Sequence, residues 1–336
     1  MRSYREVIKE VLIKTNIPKE DIFEFEDSPM YDVCKSYFEF YSEALDRNKD
    51  FGIDPSLLFF NNYRTINASA GLYNGYYIIQ FNIGIIEFLV RIFKNNSALL
   101  IGTENDEFIE FEKILDVPIN ELMYQNTIHF TFYHELGHLV QKSKLLENPL
   151  CEFLNSKNEY SELRHSLELD ADKFSAICIG THVFQYLERV FGDDLSSENA
   201  EKTLVLICSS ALFYILSFSS NKNDMYYKEK SHPHPVIRIS CIVFHIVSYV
   251  KQSLNQKGFK VELDRKQIIN KCVHFSYKIS SKKFNNCYIE DYVAILSNEA
   301  DNISEYVKEF ESIQKDDETL AVNKWNKRAI SLGNIK

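Results

Sequence analysis

Two histidines, His134 and His138, flank Glu135 in the segment YHELGHLV. Four residues is close to one helical turn, so on a helix both imidazoles project from one face and reach a single cation. Glu135 beside them is placed to take a proton from a water that the cation activates. A zinc ion lowers the pKa of such a water to about 7, which is hydrolytic chemistry at neutral pH. Two imidazoles and a carboxylate within the otherwise apolar run Ile128 to Val140 must find partners if buried, which favours a site over an incidental pattern.

A catalytic zinc needs a third protein ligand and an open position. A third histidine six residues beyond His138 is excluded, because Lys144 stands there, and Gln141 stands where that motif has glycine. Twenty-nine residues separate His138 from Glu168 in HSLELDADKFSA, where Glu168 and Asp172 are again four apart. Glu168 is the expected third ligand. Asp172, one turn on, is suited to accept the free N–H of a ligand histidine, while Asp170 is expected to face solvent. A third cluster, SHPHPVIRIS, alternates His232 and His234 with prolines that stiffen the backbone. His232 is a candidate hydrogen-bond donor to the oxyanion of a tetrahedral intermediate, and Arg238 a candidate anchor on Asp172 or a neighbouring carboxylate. Two exposed loop histidines are an equal alternative there, since His-Pro pairs are common in turns. His129, His165, His182, His245 and His274 lie outside any ligand spacing and read as structural.

The elements that must carry these residues read as follows. The first sixty residues suggest charged amphipathic helices interrupted at Pro18 and Pro55. Ser69 to Tyr73 and Tyr76 to Asn82 are β-prone runs joined by Asn74-Gly75, the dipeptide best suited to a two-residue hairpin turn. Helix is expected after Gly84, a surface loop over the acidic stretch Glu104 to Glu112, and helix again from about Ile119. Long helices are expected over about Tyr160 to Val190 and over Ile303 to Gln314. The expected organisation is an accessory segment at 1–60, a catalytic domain at 61–250 and a mostly helical accessory segment at 251–336.

The chain has 336 residues, 45% hydrophobic and 14% aromatic, enough for a sizeable core. Its Tyr and Phe content reads as packing. A formal charge of -10 without a basic stripe argues against nucleic acid or an anionic membrane as partner and favours a protein or peptide. Seven scattered cysteines with no C-x-x-C pair suggest reduced thiols and a cytoplasmic protein. The charged amino terminus is unlike a signal peptide. Leu204 to Ser220 carries no charge over 17 residues, but its five serines favour a buried helix over stable membrane insertion.

Taken in order, these motifs resemble the gluzincin peptidases, in particular the CAAX-prenyl and heat-shock membrane endopeptidases and the soluble Lit-type phage-exclusion peptidases, over residues 67 to 240. Asn67-Ala68 and Asn82 to Ile86 correspond to a hairpin region and a Gly-containing helix start. HELGH corresponds to the zinc helix, Glu168 to Asp172 to the E-x-x-A-D ligand helix, and His232-Pro233 with Arg238-Ile239 to the HP-x-x-x-x-R-I element. The resemblance implies an α+β, mostly helical, zincin-like fold with a small antiparallel sheet packed on the HExxH helix, and substrate laid along an edge strand that Tyr76 to Asn82 would supply. It implies one zinc ion per chain, held by His134, His138 and Glu168. The absence of convincing spans brings the chain nearer the Lit-type group, which implies cleavage of a host protein in response to phage. A metal-dependent binding module and a latent toxin or stress protease are the alternatives, the last with an activating or inhibitory protein partner.

Overall fold

Asn74 and Gly75 both take positive φ, 48° and 85°, and turn the chain tightly enough for Tyr73 to face Tyr76 in an antiparallel hairpin. The computed structural model describes residues 2–142, 146, 159–217, 225–284, 288–315 and 317–331. Among these residues the elements in chain order are α1 (Tyr4–Lys14), α2 (Tyr31–Arg47), β1 (Ser56–Asn61), β2 (Ala68–Tyr73), β3 (Tyr76–Asn82), α3 (Ile83–Leu89), α4 (Asp106–Glu112) and α5 (Ile119–Gln141). They continue with α6 (Glu162–Phe191), α7 (Ser197–Ser217), α8 (Pro235–Gln256), α9 (Arg265–Ile279), α10 (Tyr288–Asn298), α11 (Ala300–Gln314) and α12 (Ala321–Ser331). The fold is mostly helical with a three-stranded sheet. The chain divides into two compact units, one of residues 1–89, 131–158 and 316–336, the other of 90–130 and 159–315.

In the first unit the strand order is β1-β3-β2, with β1 parallel and β2 antiparallel to β3. The sheet is therefore mixed rather than antiparallel, and Tyr76–Asn82 is its central strand, not an edge. Ser56–Asn61 is a strand where helix was expected, because LLFFN is buried at every position and such a run has no period by which to tell strand from helix. Placing β2 on the far side of β3 from β1 takes the connection at 62–67 past the end of β3. There Gly84 donates to Tyr63 O (3.0 Å) and Asn82 to Asn67 O (3.1 Å), so the two sequence motifs at 67 and 82–86 meet. A methyl group on Gly84 would lie 2.2 Å from Arg64 O, so only glycine fits beneath this crossing. The outer edge of β1 is occupied by residues 21–23, Phe23 donating to Phe60 O (2.9 Å), and by Tyr4, whose hydroxyl accepts from Phe60 N. Tyr41 of α2 stacks on Phe132 (4.3 Å between centroids) and on Phe81 of β3 (6.1 Å), which ties the latter half of α5 to this unit's aromatic core.

In the second unit α6 and α8 form the most extensive helix pair, followed by α7 with α9. Gly180 lets α6 and α8 approach, since a Cβ there would lie 2.9 Å from a ring carbon of Tyr249. The acidic segment at 106–112 is helix α4 rather than loop: Phe108 and Phe111, three apart, are buried, and Asp106 and Glu107 occupy the first turn, where negative charge is favourable. α7 is long and apolar enough to cross a membrane by length and composition, but 83% of that stretch is buried in the protein. Ser210 accepts from Asn126 and Ser209 donates to Cys272 O, so these hydroxyls are satisfied inside the unit. Residues 218–220 of the expected segment lie outside the described residues.

Two stability tests follow from these contacts. Gly84→Ala must displace the 62–67 crossing, and the loss should be about 3 kcal/mol, read as a lowered melting temperature; an unchanged melt would refute the close crossing. At the start of α8, buried His234 caps the helix, its Nδ1 accepting from Val236 N (3.1 Å) as a neutral ring must. Burial, with Lys230 adding to it, lowers its pKa from 6.5 to about 4. Between those values the unfolded chain holds a proton that the folded chain does not, so His234 stabilises fully above pH 6.5 and progressively less toward pH 4, by roughly 3 kcal/mol in all. His234→Asn, which can still cap, should remove about one proton from the pH dependence of unfolding in that window; an unaltered slope would show that the ring titrates normally.

Candidate metal centre

α5 is apolar along most of its length, which buries its polar residues with it: His134, Glu135, His138 and Gln141 are all 5% exposed or less. The Nε2 atoms of His134 and His138 converge to 3.1 Å. Two imidazole nitrogens bound to one tetrahedral zinc at about 2.05 Å would be about 3.3 Å apart, so this spacing suits a shared cation. His138 Nδ1 donates to Gln141 Oε1 (3.0 Å), which fixes the tautomer with the lone pair on Nε2, toward His134. In the sequence Gln141 is marked only as the residue that stands where the third-histidine motif has glycine. Its spacing of three from His138 was the available signal.

On α6, Ser161 caps the first turn by accepting from Arg164 N, and residues 165–172 are buried without interruption. Asp170, expected toward solvent, is 2% exposed. Glu168 and Asp172 share a face as their spacing requires. Arg238, in the first turn of α8, donates from Nε to Asp172 Oδ2 (2.8 Å) and from Nη2 to Asp172 Oδ1 (2.9 Å), a two-pronged buried ion pair. The same Nη2 lies 3.7 Å from Glu168 Oε2, near enough for attraction but beyond hydrogen-bonding distance. Thus Arg238 engages Asp172, and the His138 N–H goes to Gln141. His232 places Nε2 3.8 Å from Glu168 Oε1, with Nδ1 2.9 Å from Ser231 Oγ.

A nitrogen of each of His134 and His138 and a carboxylate oxygen of Glu168 lie within 4.8 Å of one another, and all three residues are buried. Two imidazoles and one carboxylate are a donor set suited to zinc, and no fourth His, Cys, Asp or Glu joins the group among the described residues. His165 does not serve: its Nε2 donates to Lys230 O (2.8 Å) and its Nδ1 accepts from the Tyr306 hydroxyl, which uses both ring nitrogens. Burial lowers its pKa, consistent with a neutral ring. His129 and His182 stack on each other with centroids 5.2 Å apart, and burial holds the His129 pKa at about 3.

Removing the guanidinium should leave two carboxylates buried without it. Arg238→Met is expected to destabilise by roughly 3–5 kcal/mol, with Arg238→Lys recovering only part because an ammonium lacks the fork; a wild-type melting temperature in Arg238→Met would contradict the pairing. Against known proteins, no curated protein and no solved structure matches this chain. The model of the family described as Peptidase U49 matches residues 102–248, a stretch that includes α5, α6 and Arg238, and the match supports a peptidase.

Proposed function

We propose that the chain is a zinc-dependent endopeptidase acting on a protein substrate, in the cytoplasm and in phage defence or a stress response. The observation that carries this reading is the buried group of His134, His138 and Glu168, with Glu135 adjacent to it in sequence, inside the segment that resembles a peptidase family. A zinc ion held by these three residues supplies Lewis acidity, polarising a scissile carbonyl and acidifying a water. Glu135 takes the proton from the attacking water and passes it to the leaving amine, so that the C–N bond breaks, a C–O bond forms and the carboxylate is regenerated. His232 donates a hydrogen bond to the oxygen that becomes negative when the carbonyl is attacked. Asp172 and Arg238 hold the carboxylate side of the group in register.

A purely structural metal would need a fourth protein ligand. Both ring nitrogens of His165 are committed elsewhere, so it does not supply one. The five described cysteines are free, which accords with a reducing compartment.

The test compares wild type, Glu135→Gln and Glu168→Ala. Expressed in cells with and without phage challenge, wild type should generate new protein amino termini. Glu135→Gln should keep its zinc by elemental analysis yet lose cleavage by about 10²- to 10⁴-fold, while Glu168→Ala should lose the metal. Undiminished cleavage by Glu135→Gln, or full zinc content in Glu168→Ala, would overturn the assigned roles.

A further inference from the structure

The last turn of α5 presents carbonyls that have no partner within the helix, and the chain leaves the helix at Lys142, whose φ is 53°. α12, from the far end of the sequence, meets this turn: Lys324 Nζ donates to Val140 O (2.7 Å) and to Gln141 O (3.3 Å). An ammonium is well suited to this place, where the helix carries its partial negative charge. One turn further along α12, Arg328 donates to Asn48 Oδ1 (3.3 Å), Arg47 O (3.1 Å) and Asp50 Oδ2 (3.3 Å), and its guanidinium lies 4.9 Å from the Phe51 ring. α12 is thus fastened to the end of α2 through Arg328 and to the end of α5 through Lys324.

We infer that Lys324 is a positioning residue for the metal group, acting through Gln141 on His138. The inference rests on the metal-site reading above. Lys324 holds the main chain of Gln141, whose side chain in turn holds the Nδ1–H of His138 and leaves Nε2 as the ligating nitrogen. Without the ammonium the terminal turn of α5 frays, Gln141 loses its fixed main chain, and the His138 ring is free to rotate or change tautomer. Residues 317–331 then serve the site as a brace, and a partner that displaced α12 would loosen the metal without entering the site.

The experiment measures zinc affinity of the full chain by competition with a chromophoric chelator, together with thermal melting. Gln141→Leu should weaken binding by about 10- to 100-fold, and Lys324→Met by about fivefold. Lys324→Arg should bind as wild type does. The double variant should bind no more weakly than Gln141→Leu alone, because both substitutions cut one chain of contacts. If Lys324→Met does not fold, Lys324→Gln, which keeps most of the stem, makes the same comparison. Wild-type affinity in the Lys324 variant would overturn the inference while leaving the metal site intact. So would an equal loss in the Gln141→Leu background, which would mark a general effect on folding. A wild-type protein that bound no zinc would overturn the metal reading itself, and the inference with it.

Discussion

The buried guanidinium of Arg238 is the constraint on which the candidate site depends. Arg238 and Asp172 are 5% and 0% exposed, and Glu168 is 1% exposed. Withdrawing such groups from water costs several kcal/mol per ion, and only well-formed hydrogen bonds offset the loss. The two bonds from Arg238 to Asp172 satisfy that requirement in one geometry, which ties the first turn of α8 to one rotation of α6. Glu168, one turn before Asp172, is presented on the same face as a consequence. The supporting details serve this contact: Gly180 admits Tyr249 so that the helices can close, and His234 with Pro235 starts α8 immediately before Arg238 is needed.

Charge then decides what kind of ligand the group suits. With both carboxylates ionised, Glu168, Asp172 and Arg238 sum to one negative charge, and Asp172 is already engaged by the guanidinium. Glu168 keeps a weaker attraction at 3.7 Å. The histidines add two nitrogens 3.1 Å apart that cannot both carry protons toward each other. Gln141 Oε1 accepts a hydrogen bond from the Nδ1–H of His138, which leaves Nε2 of that ring with the lone pair. Two imidazole nitrogens and a carboxylate oxygen form a donor set that could hold a divalent metal ion.

What was legible in the sequence was what is local. The four-residue spacings, the Asn74-Gly75 turn and the two long helices at 119–141 and 162–191 all express a single turn or a single period. β1 was hidden because a strand buried on both faces has no alternation, and without β1 neither the parallel pairing nor the central place of β3 could be read. α4 was hidden because its four acids outnumber its one buried pair, Phe108 and Phe111, in a helix of only seven residues. Gln141 had one local signal, its spacing of three from His138, which brings its side chain within reach of Nδ1 of that ring. Lys324 had no local signal, because its partners lie more than 180 residues earlier.

Asp170 is the instructive error. Two residues beyond Glu168 on a helix is a rotation of about 200°, so Asp170 cannot share the ligand face, and an amphipathic helix would put it in water. It is buried nonetheless, and with Leu167, Leu169, Ala171 and Phe174 it shows that α6 is enclosed on all sides along this stretch. A helix of that kind is an interior element, not a surface one. Its enclosure limits how far a carboxylate on it can move, because neighbours at native packing density must move with it. The position of Glu168 is therefore set by the whole packing of α6 as well as by Arg238. A donor proposed for a metal needs that property, since an error of 1 Å in a donor atom is enough to weaken a site.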